Sequence, residues 1–248
     1  MLSLSPVRWL GWGIVGLLVG HVTGLLGEEW FGWSRTSGIM RQFDLNGEGN
    51  LAAWFESLVL MCAALAALAI YLAHQGHHRH ARRWGFLTAL LFLMTIDEAA
   101  QLHDMATGPL RRGLALEPGV LYFAWVIPAL VILAVVAVYL LPLARALPTA
   151  FRARLVLALA VYVGGALVLE MISGVAVAAG HDTAHYYAVI TIEETCELVG
   201  AVLLVSVLMA LLRSLRPTMT LQLLGPRIHV TVLPAPHQSD PSIASTTP

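Results

Sequence analysis

Six apolar runs, each about twenty residues long, constrain the fold of this chain more than any other feature. An α-helix of that length crosses the ~30 Å hydrocarbon core of a bilayer. Charged residues make up only 12% of the 248 residues, whereas a soluble domain carries roughly 25%. The sequence therefore predicts an all-α, polytopic membrane protein, a bundle of six transmembrane helices.

The predicted transmembrane domain covers residues 1–213, and the remaining 214–248 form a short, irregular tail. Within the tail, "RIHVTVL" alternates like a short strand. The Pro-, Ser- and Thr-rich residues that follow are typical of disorder. The six predicted spans are approximately 7–27, 51–73, 84–106, 119–142, 155–179 and 188–212.

The arginines predict the orientation of the bundle. All 14 basic residues are Arg. With a cytoplasmic N-terminus, ten of these arginines fall in inner segments and the other four in outer segments. Cytoplasmic loops of membrane proteins are enriched in positive charge. We therefore predict that both termini and the tail are cytoplasmic. We expect a multi-pass protein of the cell membrane, which is the inner membrane in a Gram-negative bacterium.

Acidic residues occur where this topology makes them costly, as in "TIDEAAQLHD" (95–104). Of the 15 acidic residues, all but Asp240 lie outside the membrane or in the outer half of a span. With a rise of 1.5 Å per residue, the acids within spans lie about 8–13 Å below the outer ends. Several helices thus bring carboxyl groups to one layer.

An acid near the centre of a span costs roughly 2.5–3.5 kcal/mol on insertion, and less nearer the interface. Such groups therefore face the bundle interior, a wet cavity or each other. The spans contain no Arg that could pair with them. Protons, water or a bound divalent cation remain as partners, and a polar core without a ligand is the alternative.

The predicted site is a cation centre within this layer. Carboxylate and imidazole ligands together suit Zn, Fe or Mn better than Mg or Ca. Asp97 and Glu193 are the predicted catalytic groups, either orienting ligands or acting as a general base. His21, at a depth of about 9 Å in its span, and His181 and His185, in the outer loop just above the layer, could add imidazole nitrogens. The predicted metal ligands are Glu56, Glu98, His103, Glu170, Glu194 and Glu197.

Local spacing adds detail to this prediction. Asp97, Gln101 and Asp104 share one face of a continuous helix at i, i+4 and i+7. The sequence contains neither HExxH nor the Glu-x-x-His pair of helical di-iron sites. "DLNGEGN" (44–50) loosely resembles a calcium loop, but a turn in which Asn50 caps the second span is the favoured interpretation. The His-rich segment 74–83 is interpreted as a solvated loop rather than a metal site.

The sequence favours a membrane-embedded, metal-dependent enzyme, a hydrolase or oxidoreductase acting on a lipid or another apolar molecule. A non-catalytic scaffold or accessory subunit is one alternative, and a transporter coupled to protons or cations is another. Gly16, Gly20 and Gly24 leave one face of the first span bare, where a partner helix could pack. We expect membrane lipid around the bundle and no nucleic-acid partner.

Overall fold

The computed structural model describes residues 6–74, 79–180, 183–215, 218–224 and 227–233. Its helical part contains eight α-helices, and a 3₁₀ turn and a π-helical turn interrupt the chain at two places. In chain order the elements are α1 (Pro6–Phe31), the 3₁₀ turn (Met40–Phe43), α2 (Leu51–His74), α3 (Ala81–Ala100), α4 (Leu102–Leu114), α5 (Val126–Ala146), α6 (Thr149–Val163), the π turn (Gly164–Leu169), α7 (Glu170–Ala179), α8 (Ala184–Leu215), β1 (Thr218–Leu224) and β2 (Arg227–Leu233).

The helices form an apolar bundle consistent with a membrane protein. Among the described residues, five helical segments are long and apolar enough to cross a bilayer, and the bent pair α3–α4 makes a sixth if it is counted as one span. α6, the π turn and α7 together form one of the five. The five segments are Val7–Phe31, Leu51–His74, Val126–Ala146, Thr149–Val177 and Ala184–Leu215.

The third predicted span is broken rather than continuous. α3 ends at Ala100, and α4 leaves it at an angle of 75°. Gln101 takes a left-handed conformation with φ 57°, and its N–H donates to the carbonyl of Asp97. The predicted continuous helix over 84–106 is therefore wrong, and so is the single face shared by Asp97 and Asp104.

The core of the bundle is formed by α2 and α8, which pack through small and aliphatic side chains. Ala63, Ala67 and Ala201 are fully buried, and Leu60 and Leu208 are each only 1% exposed. In lipid, close packing of this kind replaces the hydrophobic driving force that water would supply. α5 lies at the edge, where most of its apolar side chains face outward.

The fourth predicted span also begins later than expected. Residues 119–125 form turns, and α5 begins at Val126. The tail is not wholly irregular either, because β1 and β2 pair as an antiparallel hairpin. β2 covers the segment whose alternation predicted a strand.

The glycine-rich face of α1 packs partly within the chain. A Cβ on Gly20 would clash with the Phe43 ring, whereas one on Gly24 would lie 3.7 Å from Arg35, an ordinary van der Waals distance. A Cβ on Gly16 would meet nothing within 4 Å. Of the three glycines, Gly20 is therefore the one that allows the loop after α1 to fold back onto the helix.

Candidate functional site

One cavity of about 520 Å³ lies at the end of the bundle where α2 and α8 begin. This volume is within the range of roughly 300–1,000 Å³ that small-molecule sites occupy. α2, the bent pair α3–α4, α7 and α8 all contribute acidic or imidazole side chains to its wall. The wall includes all eight residues predicted from the sequence: Glu56, Asp97, Glu98, His103, Glu170, Glu193, Glu194 and Glu197.

The wall of the cavity is strongly acidic. Nine acidic side chains line it, because Glu48 and Asp104 join the seven predicted acids. Among the described lining residues, His103 alone has a basic side chain. No Arg therefore neutralises these carboxyl groups from within the wall.

Three of the carboxyl groups have buried oxygens without a hydrogen-bond partner. These atoms are Oε2 of Glu48, Oε1 of Glu56 and Oε2 of Glu193. Glu56 is only 3% exposed and Glu193 only 4%. A buried polar atom left unpaired costs free energy, so these oxygens require a proton, a water molecule or a cation in the cavity.

His103 is held in a fixed orientation by Asp97. The backbone N–H of His103 donates to Asp97 Oδ1 at 2.9 Å, and the ring Nδ1 lies 2.9 Å from Oδ2 of the same carboxylate. The ring therefore directs Nε2 away from Asp97. Histidines that bind metals are typically held by a carboxylate in this manner.

Glu48, His103 and Asp104 form a group with the donor atoms of a metal site. One potential ligand atom from each lies within 4.8 Å of the others. His103 Nε2 is 3.9 Å from Asp104 Oδ1. A cation with bonds of about 2.1 Å would draw these atoms closer together, so binding would require a modest inward movement.

Glu48 is the member of this group that the loop before α2 supplies. Burial first, and then repulsion by the Asp104 carboxylate, raise the pKa of Glu48. A bound cation would offset both effects, since it favours the deprotonated carboxylate. The environment of Glu48 is therefore unfavourable for a lone carboxylate and suited to a cation ligand.

The other five predicted ligands line the same cavity outside that three-residue group. Glu170 Oε1 accepts a hydrogen bond from Trp125 Nε1 at 3.0 Å, and the Trp125 ring lies 4.8 Å from that of His103, measured between centroids. The Glu193 carboxyl lies close to that of Glu170. Two neighbouring buried carboxyl groups favour a shared proton or cation.

The π turn places Glu170 on this wall. Single π turns inside α-helices occur often at functional sites. Gly165 lies within it, where a Cβ would meet Glu197 Cγ at 2.8 Å and the Glu193 carbonyl at 2.9 Å. A glycine is thus required for the π turn to approach the acidic segment of α8 so closely.

The loop after α1 is fixed by a buried arginine. Arg35 donates to Asp44 Oδ2 at 2.8 Å, to Glu28 Oε2 at 3.0 Å and to the Tyr187 hydroxyl at 2.8 Å. Asn50 caps α2 as predicted, since its Oδ1 accepts from the N–H of Ala53 at 3.1 Å. The Asp44 carboxylate is thus engaged by Arg35, which argues against the calcium-loop alternative.

The predicted use of His21 as a ligand is wrong. Its Nδ1 accepts from the N–H of Leu45 at 3.1 Å, and its Nε2 lies 3.1 Å from Thr191 Oγ1. Both ring nitrogens are therefore engaged, and the ring ties the loop to α8. His185 is exposed and outside the cavity wall, and His181 lies outside the described residues.

Sequence reasoning missed Glu48 and Asp104 as site residues. The sequence pattern places Glu48 in a turn, although a carboxylate two residues before the cap of an acid-bearing helix is an available signal. The same pattern places Asp104 only on the face of a continuous helix. The bend at Gln101 brings it beside His103 and Glu48 instead.

Fold and site together define a class: an apolar helical bundle, consistent with a membrane protein, with an acid-lined cavity at one end. The chain belongs to the family described as a domain of unknown function, DUF8692, whose pattern matches residues 9–212. No curated protein matches the chain, and no solved structure matches it.

Proposed function

We propose that the cavity binds a divalent cation and that the protein is a membrane-embedded, metal-dependent enzyme acting on a lipid or another apolar molecule. The observation that carries the proposal is the convergence of nine acidic side chains and one oriented imidazole on a single cavity. Unpartnered buried oxygens of Glu48, Glu56 and Glu193 support it independently.

The first coordination site in this proposal consists of Glu48, His103 and Asp104. The remaining predicted ligands lie on the same wall, where they would bind further water or move toward the cation. Carboxylates with a single imidazole favour Mn, Fe or Zn over Mg or Ca. A cation bound here would polarise a carbonyl group or lower the pKa of a bound water.

The residues of the chain supply the rest of the chemistry. Asp97 holds the ring of His103, so that Nε2 faces Glu48 and Asp104. Glu193 is buried, lies beside Glu170 and faces the cavity, which suits a group that takes and returns a proton. An apolar substrate would reach these groups from the hydrophobic part of the same cavity.

Cation binding by the purified protein tests the proposal. We expect titration with Mn²⁺, followed by calorimetry or by paramagnetic resonance, to give one saturable site. Asp97→Asn should weaken this site by roughly 10–100-fold, as loss of a ligand-orienting carboxylate typically does. Glu48→Gln should weaken it further, because it removes a ligand.

Glu29→Gln is the matched control, since Glu29 is an exposed acid outside the cavity wall. Its affinity for Mn²⁺ should equal that of the wild type. Absence of a saturable site in the wild type, or equal affinity in all variants, would overturn the proposal. A scaffold would then be the better interpretation, and Mn²⁺ flux into proteoliposomes would instead indicate a transporter.

A further inference from the structure

The cavity has two parts whose lining residues differ in polarity. Near Glu48 and His103 its wall is acidic, whereas farther along α3 and α5 its lining side chains are apolar. We define the second part as the apolar arm, lined by Leu90, Leu93, Met94, Ile132, Leu133 and Val136.

The apolar arm extends well away from the acids. Leu90 and Glu98 both lie on α3 and both line the cavity. They are eight residues apart, which corresponds to about 12 Å along a helix. The arm is therefore long enough for a substantial length of alkyl chain.

Exposed residues line each end of the cavity. Asp104 and Asn46 line the acidic end and are exposed. Leu93 and Ile132 line the apolar arm, and they are 56% and 57% exposed at the perimeter of the bundle. The arm therefore borders the perimeter between α3 and α5, the surface that lipid would contact in a membrane protein.

The charge of the acidic end selects the polar group of the ligand. Nine carboxyl groups face one imidazole, and no Lys or Arg is present among the described lining residues. Carboxyl groups that take up protons become neutral but never cationic. Like charges in a poorly hydrated site repel strongly, so a carboxylate or phosphate head group would be disfavoured even beside one bound cation.

We infer that the cavity binds a membrane amphiphile with one alkyl chain in the apolar arm and a polar end that carries no negative charge beside Glu48 and His103. A primary amine or an alcohol satisfies this description. That the amphiphile is the substrate of a reaction rests on the proposed function. Its binding depends only on the shape and charge of the cavity.

Photoaffinity labelling tests this inference on the full-length protein in lipid nanodiscs. The probes are an alkylamine, an alkanol and an alkanoate of equal chain length, each with a diazirine on the chain. We expect the amine and the alcohol to label residues 81–100 and 126–146 at least about tenfold more than the alkanoate does.

Two adjacent valines provide matched variants. Val136 lines the apolar arm, whereas Val135 is 65% exposed on the outer side of the same helix. Val136→Trp should abolish most labelling, and Val135→Trp should leave it unchanged. Leu133→Trp provides a second way to fill the arm if Val136→Trp fails to fold.

The outcomes separate this inference from the proposed function. Equal labelling by the alkanoate, or full labelling of both Val136→Trp and Leu133→Trp, would overturn the inference, whatever the affinity for Mn²⁺. Selective labelling of a protein that binds no Mn²⁺ would support the inference while removing the metal-dependent function. Mn²⁺ binding should be normal in Val136→Trp, because the arm contains none of the proposed ligands.

Discussion

The two ends of helices α2 and α8 differ sharply in how they are built. From Leu60 onward in α2, and over the matching C-terminal part of α8, the helices are densely packed, and Ala63, Ala67 and Ala201 are fully buried among aliphatic neighbours. At their N-terminal ends the same two helices supply Glu56, Glu193, Glu194 and Glu197 to the wall of the acidic cavity. The buried Leu60 lies four positions after Glu56.

The difference shows how one pair of helices combines stability with an unfavourable site. Buried carboxyl groups without partners lower the stability of the fold, whereas dense apolar packing raises it. Because the packed end contains small side chains, the helices stay close together there. The acidic end is then held open without needing attractive contacts of its own.

The largest effect we expect comes from a ligand at the acidic end. Mn²⁺ at a hundredfold excess over its dissociation constant should raise the free energy of unfolding by about 2.7 kcal/mol. The measurement is thermal unfolding in detergent, with and without a chelator. The shift should vanish in a Glu48→Gln/Asp104→Asn double variant, which removes two of the three proposed ligands; an equal shift there would mean that Mn²⁺ acts elsewhere.

A core substitution at the packed end should have the next largest effect. Leu60→Ala should lower the free energy of unfolding by about 2 kcal/mol, because it leaves an unfilled space in a dense interior. Leu93→Ala is the matched control at the cavity, where Leu93 is 56% exposed. It should cost well under about 1 kcal/mol. Similar losses in both variants would refute the contrast between the two ends.

Sequence patterns predicted the apolar helices and the inward placement of the acids. Apolar runs of spanning length located the helices, since a helix satisfies its own backbone hydrogen bonds in lipid. The cost of an acid within lipid then required Glu56, Glu98 and Glu194 to face inward, and all three line the cavity. Orientation, metal identity and the number of spans remain predictions.

The details that the sequence did not provide depend on backbone geometry and on tertiary contacts. Gln101 is neither Gly nor Pro, so no local signal marked the break at which α4 turns away. Depth within its span predicts His21 as a ligand, but the loop after α1 occupies its Nδ1 through the N–H of Leu45. The same loop delivers Glu48, whose position depends on Arg35 and its distant partners.

The third largest effect on stability should come from Gly200→Ala, which tests how closely α6 and α8 must approach. A Cβ on Gly200 would lie 2.5 Å from the backbone N of Tyr162, so Gly200→Ala should separate α6 from α8. We expect a loss of about 1–2 kcal/mol in thermal unfolding. Gly164→Ala is the control, because its Cβ would meet nothing within 4 Å. It should be neutral or slightly stabilising.

Glu56→Gln should cause the smallest change in the free energy of unfolding. It is the most diagnostic variant, because the sign of that change should depend on whether the cation is bound. Glu56 is 3% exposed and its Oε1 has no hydrogen-bond partner. In chelator, Glu56→Gln should therefore change the free energy of unfolding by less than about 1 kcal/mol, and toward greater stability. In Mn²⁺ the variant should instead be the less stable protein, since it loses a carboxylate near the cation.

Thermal unfolding of wild type and Glu56→Gln, each with chelator and with Mn²⁺, measures this reversal as a four-point cycle. Leu60 lies one helical turn away, and Leu60→Ala should destabilise the protein equally in both conditions. A Glu56→Gln variant that is destabilised by the same amount with and without Mn²⁺ would make Glu56 a structural residue. The acidic end would then be a second packed region, and the contrast between the ends of α2 and α8 would be one of composition only.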